Sequence, residues 1–127
     1  MEGNSTYNIR AKDMREVYKL FLPLKECGAE GYVYITRAGA TIFSDLPQNI
    51  SEETFALLSA TIMGASEVAY SELKQSLPEK VIISSGKKEM LVCPVNEKSI
   101  LVVIYQNDGK IYDEVKKIMD RIRMVVK

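Results

Sequence analysis

The sequence predicts an α/β (α+β) fold, a single layered domain in the order helix, strand, strand, helix, strand, strand, strand, helix. Three observations lead there. Apolar residues recur at helical spacing in three segments, β-type runs occupy five others, and the connections between them are short and rich in Gly, Pro, Asn and Asp. At 127 residues the chain has the length of one domain and can bury a core without a disulfide or a structural metal.

Residues 1–11 show no periodicity and read as a flexible leader to a domain spanning 12–127. From Lys12, the residues Met14, Val17, Tyr18, Phe21 and Leu24 recur at three and four, the period of a helix. Pro23 lacks an N–H and clashes with the turn before it, so this helix kinks there or stops near Phe21, and Gly28 closes the segment. Gly31 to Arg37 is a strand with Val33 and Ile35 on one face and Tyr32 and Tyr34 on the other. Ala38-Gly39 is a turn, Ala40 to Ser44 the returning strand, and Asp45 to Asn49 a loop.

Ser51 followed by Glu52 and Glu53 is a helix start, because a hydroxyl and two carboxylates suit the unpaired N–H groups and the positive end of the dipole. The helix runs to about Lys74. Lys80 to Ser85, Glu89 to Val95 and Ser99 to Gln106 then read as an antiparallel meander, turned by Gly86-Lys87 and Asn96-Glu97-Lys98, with Pro94 marking a strand end or bulge. Ile111, Val115, Ile118, Met119, Ile122 and Val125 trace a last helix from about Lys110.

Charge and composition close several doors. Seventeen basic residues balance seventeen acidic ones, so there is no basic stripe for nucleic acid and no polybasic face for lipid. Histidine is absent, which deprives any serine or cysteine nucleophile of an imidazole base, and no Gly-rich phosphate loop occurs. Cys27 and Cys93 stand far apart with no histidine to complete a zinc site and read as small buried hydrophobes. The expectation is a non-enzymatic protein without cofactor or metal. With no signal-peptide run and no apolar stretch of membrane length, it is placed in the cytoplasm, with no membrane insertion.

The middle helix is the informative element. Phe55, Leu58, Ile62, Ala65, Ala69 and Leu73 fall on one face, taken as the face on the sheet. The opposite face should be charged, yet it holds Leu57, Ala60, Thr61, Gly64, Val68 and Ser71. A helix small or apolar on both sides is covered on both sides. The cover is read as another protein, against the alternative that the first or last helix packs there. Val81, Ile82 and Ile83 form a run apolar on both faces, which suits either an edge strand paired with a copy of itself or a central strand buried on both sides.

Gly28-Ala29-Glu30-Gly31, Thr36-Arg37-Ala38-Gly39, Ile42-Phe43-Ser44-Asp45 and Leu91-Val92-Cys93-Pro94-Val95, in this order and spacing, resemble the roadblock family of dynein light-chain-like domains. The resemblance spans about Lys12 to Val126. It implies a roadblock-like five-stranded antiparallel sheet with the middle helix on one face and the first and last helices on the other. It further implies a homodimer formed through the middle helix and third strand, and a regulator or scaffold for a Ras-like small GTPase. On that reading Leu57, Ala60, Thr61, Gly64, Val68, Ser71, Val81, Ile82 and Ile83 form the dimer seam. Ala56, Met63, Glu67 and Tyr70 flank it and meet the GTPase, and Arg37 is the nearest candidate for an arginine finger. The alternative is a small-molecule sensor or adaptor module of longin, profilin or PAS-like architecture, with Tyr32 and Tyr34 either lining its pocket or facing solvent.

Overall fold

The computed structural model describes residues 11–107 and 111–126; of the leader expected over 1–11 only Ala11 is described, as the first residue of a helix, and the helix start at Lys110 and the domain end at Lys127 lie outside the described residues. Helices α1 (Ala11–Lys19) and α2 (Leu22–Glu26) come first, so the first helical segment is broken. The break precedes Pro23, which sits in the first turn of α2, where a missing N–H leaves no bond unmade. At the other end Gly28 takes a positive φ of 109°, and Ala29 N–H donates to the Leu24 carbonyl at 3.0 Å, closing the turn.

Strands β1 (Gly31–Thr36) and β2 (Thr41–Asp45) form a hairpin with a register shift between Tyr34 and Ile35. Helix α3 (Glu52–Glu72) opens at Ser51, whose Oγ accepts from Thr54 N–H at 3.3 Å. Strands β3 (Val81–Ser85), β4 (Lys88–Pro94) and β5 (Ser99–Gln106) follow, then α4 (Ile111–Val125). Pro94 is the last residue of β4, where its missing donor interrupts nothing.

The five strands order as β2-β1-β5-β4-β3, all neighbours antiparallel. Strand β3 is therefore an edge, and the central-strand reading of its apolar run falls. Strand β5 is central: it pairs with β1 and β4 and is buried along nearly all its length, as a run of Ile, Leu and Val requires. One face carries α1, α2 and α4 through Val17, Phe21, Leu24, Val115, Ile118 and Ile122; the other carries α3 over Val33, Ile35, Val92, Ile100 and Val102. The two-sided arrangement is the expected one.

Two expectations need correction. Tyr32 and Tyr34 do lie opposite Val33 and Ile35, but they are buried, stacked with or tilted against Phe21 at 5.3 and 5.0 Å, so they neither face solvent nor line a pocket. The Tyr34 hydroxyl donates to Ser99 Oγ at 2.8 Å. Helix α3 is also rotated from its expected setting. Its buried residues are Ala56, Ser59 and Met63, while Leu58 and Leu73 are 55% and 63% exposed and Ala65 and Ala69 are exposed too. A Cβ on Gly39 would stand 3.0 Å from Leu57 Cα, so hairpin and helix meet backbone to backbone at that point, and Ala56, Ser59 and Met63 lie beneath the helix with Phe55 and Ile62 half-buried beside them.

Candidate functional site

The outward side of α3 is apolar. Leu57, Leu58 and Val68 are each more than half exposed along it, and Thr61, Ala65 and Ala69 lie exposed among them. Thr61 returns its hydroxyl to the Leu57 carbonyl at 2.9 Å and thereby spends its polarity locally. Gly64 contributes bare backbone, since a Cβ added there would meet nothing within 4 Å. Beside the helix runs β3. Val81 and Ile83 pair with Val92 and Met90 and so share the α3 face, whereas Ile82, opposite Leu91, points to the other face. Ile82 and Ile83 are both about two-fifths exposed, and among the described residues no strand neighbours the outer backbone edge of β3. Helix α3 and strand β3 lie in contact, so the exposed apolar residues of the helix and Ile83 of the strand stand on one side of the sheet, with Ile82 on the other.

Of the residues expected at a dimer seam, Leu57, Thr61, Val68, Ser71, Ile82 and Ile83 are exposed, while Ala60, Gly64 and Val81 are half-buried beside them. Of those expected to meet a GTPase, two are ruled out. Ala56 and Met63 are 0% exposed, pressed onto the sheet by the rotation of α3, and can offer no contact area. Tyr70 remains exposed at 44%, near the C-terminal end of the helix. Glu67 is partly buried and held by Arg37, whose Nη1 lies 2.6 Å from its Oε1. The same arginine donates from Nη2 to the Asn96 carbonyl at 3.1 Å. Arg37 is thus engaged twice within its own chain, a structural tie rather than an extended finger.

Sequence reasoning missed Leu58 and Leu73, which belong to the exposed surface, and Leu77 beyond the helix. No local pattern singled them out, since large apolar residues occur on every side of the helix.

Neither cysteine has the character of a nucleophile. Cys93 is buried and its thiol is pushed up to about 12 by that burial, against an opposing pull from Arg123 and Lys80. Cys27 is half-buried and donates from Sγ to the Leu24 carbonyl at 3.2 Å. Among the described residues there is no group of three or more His, Cys, Asp or Glu placed to hold a metal ion. No helix among them is long and apolar enough to cross a membrane.

The family model described as Roadblock/LC7 domain matches residues 19–105. No curated protein matches the chain. Among solved structures, the gliding protein MglB from Thermus thermophilus superposes with a TM-score of 0.85 at 14% identity, covering 97% of each chain. An MglB with a tetrameric arrangement gives 0.82 at 13% identity, covering 97% of this chain and 96% of that one. Myxococcus xanthus MglB gives 0.77 at 20% identity, with 93% and 97% covered. At these identities the likeness establishes the fold.

Proposed function

The chain belongs to the Roadblock/LC7 domain family, and from that premise we propose that it is a homodimeric regulator or scaffold for a Ras-like small GTPase. The observation that carries this reading is the surface of α3 and β3. A 21-residue helix with Leu57, Leu58 and Val68 outward, next to an unpaired apolar strand edge, is built to be covered. A two-fold partner satisfies both elements at once: β3 pairs with β3, which joins two sheets into one, and α3 packs on α3 where Gly64 lets the backbones approach. Assembly of one MglB as a tetramer supports self-association as a use of this fold.

On this reading the GTPase sits on the helix-bearing side, beside the seam. Tyr70 supplies its amphipathic contact there, with the Arg37–Glu67 pair at the rim. Such a surface regulates without a reacting group of its own, by ordering the partner's switch segments and catalytic groups. The test is co-purification from native cells, followed by reconstitution. A protein with a GTP-binding P-loop should be recovered, and the purified pair should bind with an affinity that depends on the nucleotide. Recovery of no such protein, or binding untouched by Tyr70→Asp, defeats the assignment.

A further inference from the structure

A pocket of about 280 Å³ opens on the sheet face opposite α3, between α4, the end of β4 and the segment that leads into β3. Cys93 and Met119, each 3% exposed, form its floor beside Pro94. Tyr112, Lys116, Met119 and Arg123 recur at four, three and four, so one stripe of α4 makes one wall, and residues 77–79 make the other. An apolar floor with a few polar groups at its rim is the form of a small-molecule site, and the volume suits a small occupant.

Charge at the rim is mostly positive. Lys80, beside the lining, donates from Nζ to the Tyr112 hydroxyl at 3.1 Å and stands 4.2 Å over its ring. Lys80 and Arg123 both oppose the upward push that burial gives the Cys93 thiol, so their fields overlap on the floor. Lys117 is paired with Glu114 and Arg123 with Asp120, both at 3.5 Å, whereas Lys116 has no ion-pair partner among the described residues. Glu79 is the one carboxylate of the lining among the described residues. It lies near enough to Lys80 to help hold that ammonium above its ordinary pKa, after the larger effect of the Tyr112 bond.

We propose that this pocket binds a small organic carboxylate, its apolar body on Cys93, Pro94 and Met119 and its charge at Lys116. The Arg123 fork is already spent, since Nε donates to the Val95 carbonyl at 3.1 Å and Nη2 to the Pro94 carbonyl at 2.6 Å. No bidentate clamp is left for a phosphate, so a single negative charge facing one unpaired ammonium fits better than a dianion. A cationic ligand would meet three positive groups and be repelled. Burial keeps the Cys93 thiol neutral, which makes it apolar floor and the binding non-covalent. The pocket lies across the sheet from α3 and stands apart from the reading of that surface.

The experiment titrates phenylacetate, hexanoate, phenylacetamide and phenyl phosphate into the isotope-labelled full chain and follows its amide resonances. The two carboxylates should shift Glu79, Cys93 and Met119, and the uncharged phenylacetamide should bind about tenfold more weakly than phenylacetate. Lys116→Met keeps most of the stem, removes the charge and should weaken phenylacetate by about the same factor. Lys116 is exposed, so this variant retains the fold. Lys117→Met, the next residue of the same helix, should bind as the unsubstituted chain does. The proposal is overturned if the carboxylates shift nothing or shift another surface, or if phenylacetamide or phenyl phosphate binds as tightly as phenylacetate. It is equally overturned if Lys116→Met leaves binding unchanged, or if Lys117→Met weakens it as much, since the attraction then belongs to the helix charge at large.

Discussion

Arg37 and Glu67 stand thirty residues apart in sequence and 2.6 Å apart in space, joining the turn after β1 to the C-terminal half of α3. The guanidinium also reaches the Asn96 carbonyl. Asn96 in turn accepts from Lys98 N–H at 2.8 Å and Ser99 Oγ at 2.9 Å, and its amide donates to the Val126 carbonyl at 3.4 Å. One arginine thereby connects the helix on one face of the sheet to the end of the helix on the other, around the end of the strands.

Removing that arginine should therefore loosen three elements together. Arg37→Ala leaves a carboxylate only 18% exposed and a turn carbonyl without their donors. Partial solvent access keeps the loss below that of a fully buried pair, and about 1–3 kcal/mol is expected. Arg37→Lys recovers only part of it, because one ammonium cannot span both acceptors. Urea denaturation checks this; an unchanged midpoint in Arg37→Ala would mean that water replaces both bonds.

Stability should be flat through neutrality and fall in alkali. The chain has no histidine, so no side chain with an ordinary pKa titrates between about pH 6 and 8. Burial pushes the Cys93 thiol from 9.0 up to about 12 and the Tyr32 phenol from 10.0 up to about 12, and it also raises Tyr105, which donates to Glu89 at 3.0 Å. For each, the folded chain holds its proton more tightly than the unfolded chain. The stabilisation is complete below pH 9 and is lost as pH rises toward 12. Denaturation midpoints measured from about pH 6 to 11 should show a plateau and then a decline, delayed in Cys93→Ala. Alkylation of the native chain should reach Cys27 before Cys93.

The element order, the hairpin and the serine cap were legible because each rests on a local pattern, while the two-sided layering came from the family resemblance. Pro23 announced a break but not its form: only the fold puts it in the first turn of a new helix. The rotation of α3 was not legible. Periodicity locates a helix face by contrast, and here Phe55, Leu57, Leu58, Ile62 and Val68 leave almost none. The setting follows from packing between distant segments, the close approach of Gly39 to Leu57 and the seating of Ala56 and Met63 on the sheet among them. The same holds for Arg37, whose partners lie thirty and fifty-nine residues away.

Met63 and Tyr70 lie two turns apart on one stripe of α3 and differ in burial because Tyr70 stands near the end of the helix, a difference that experiment can separate. Met63→Asp buries an unpaired charge at a site with no exposure and should abolish cooperative folding. Tyr70→Asp, at a site 44% exposed, should leave the melting curve within a degree or two while weakening GTPase binding. Circular dichroism melts of the two variants decide it. A folded Met63→Asp chain would return that residue to the surface and restore the setting expected from sequence.

Gly64 offers the sharpest test of the seam, because its two possible effects have opposite signs. Within the chain an added methyl meets nothing within 4 Å, and alanine is a better helix former than glycine. Gly64→Ala should therefore stabilise the isolated protomer by about 0.5–1 kcal/mol. Across a seam in which α3 packs on α3, the same methyl holds two backbones apart and costs about 1–3 kcal/mol, roughly fivefold to a hundredfold in the dimer Kd. Gly64→Arg adds an unpaired charge to the bulk and should give a folded monomer. Light scattering over a dilution series, alongside denaturation at two protein concentrations, measures both quantities on one sample. A protomer made more stable while the dimer weakens locates the seam at Gly64. A more stable protomer with an unaltered dimer moves the seam off this part of α3 and leaves β3 as the contact. An unsubstituted chain that is monomeric at tens of micromolar removes the homodimer altogether.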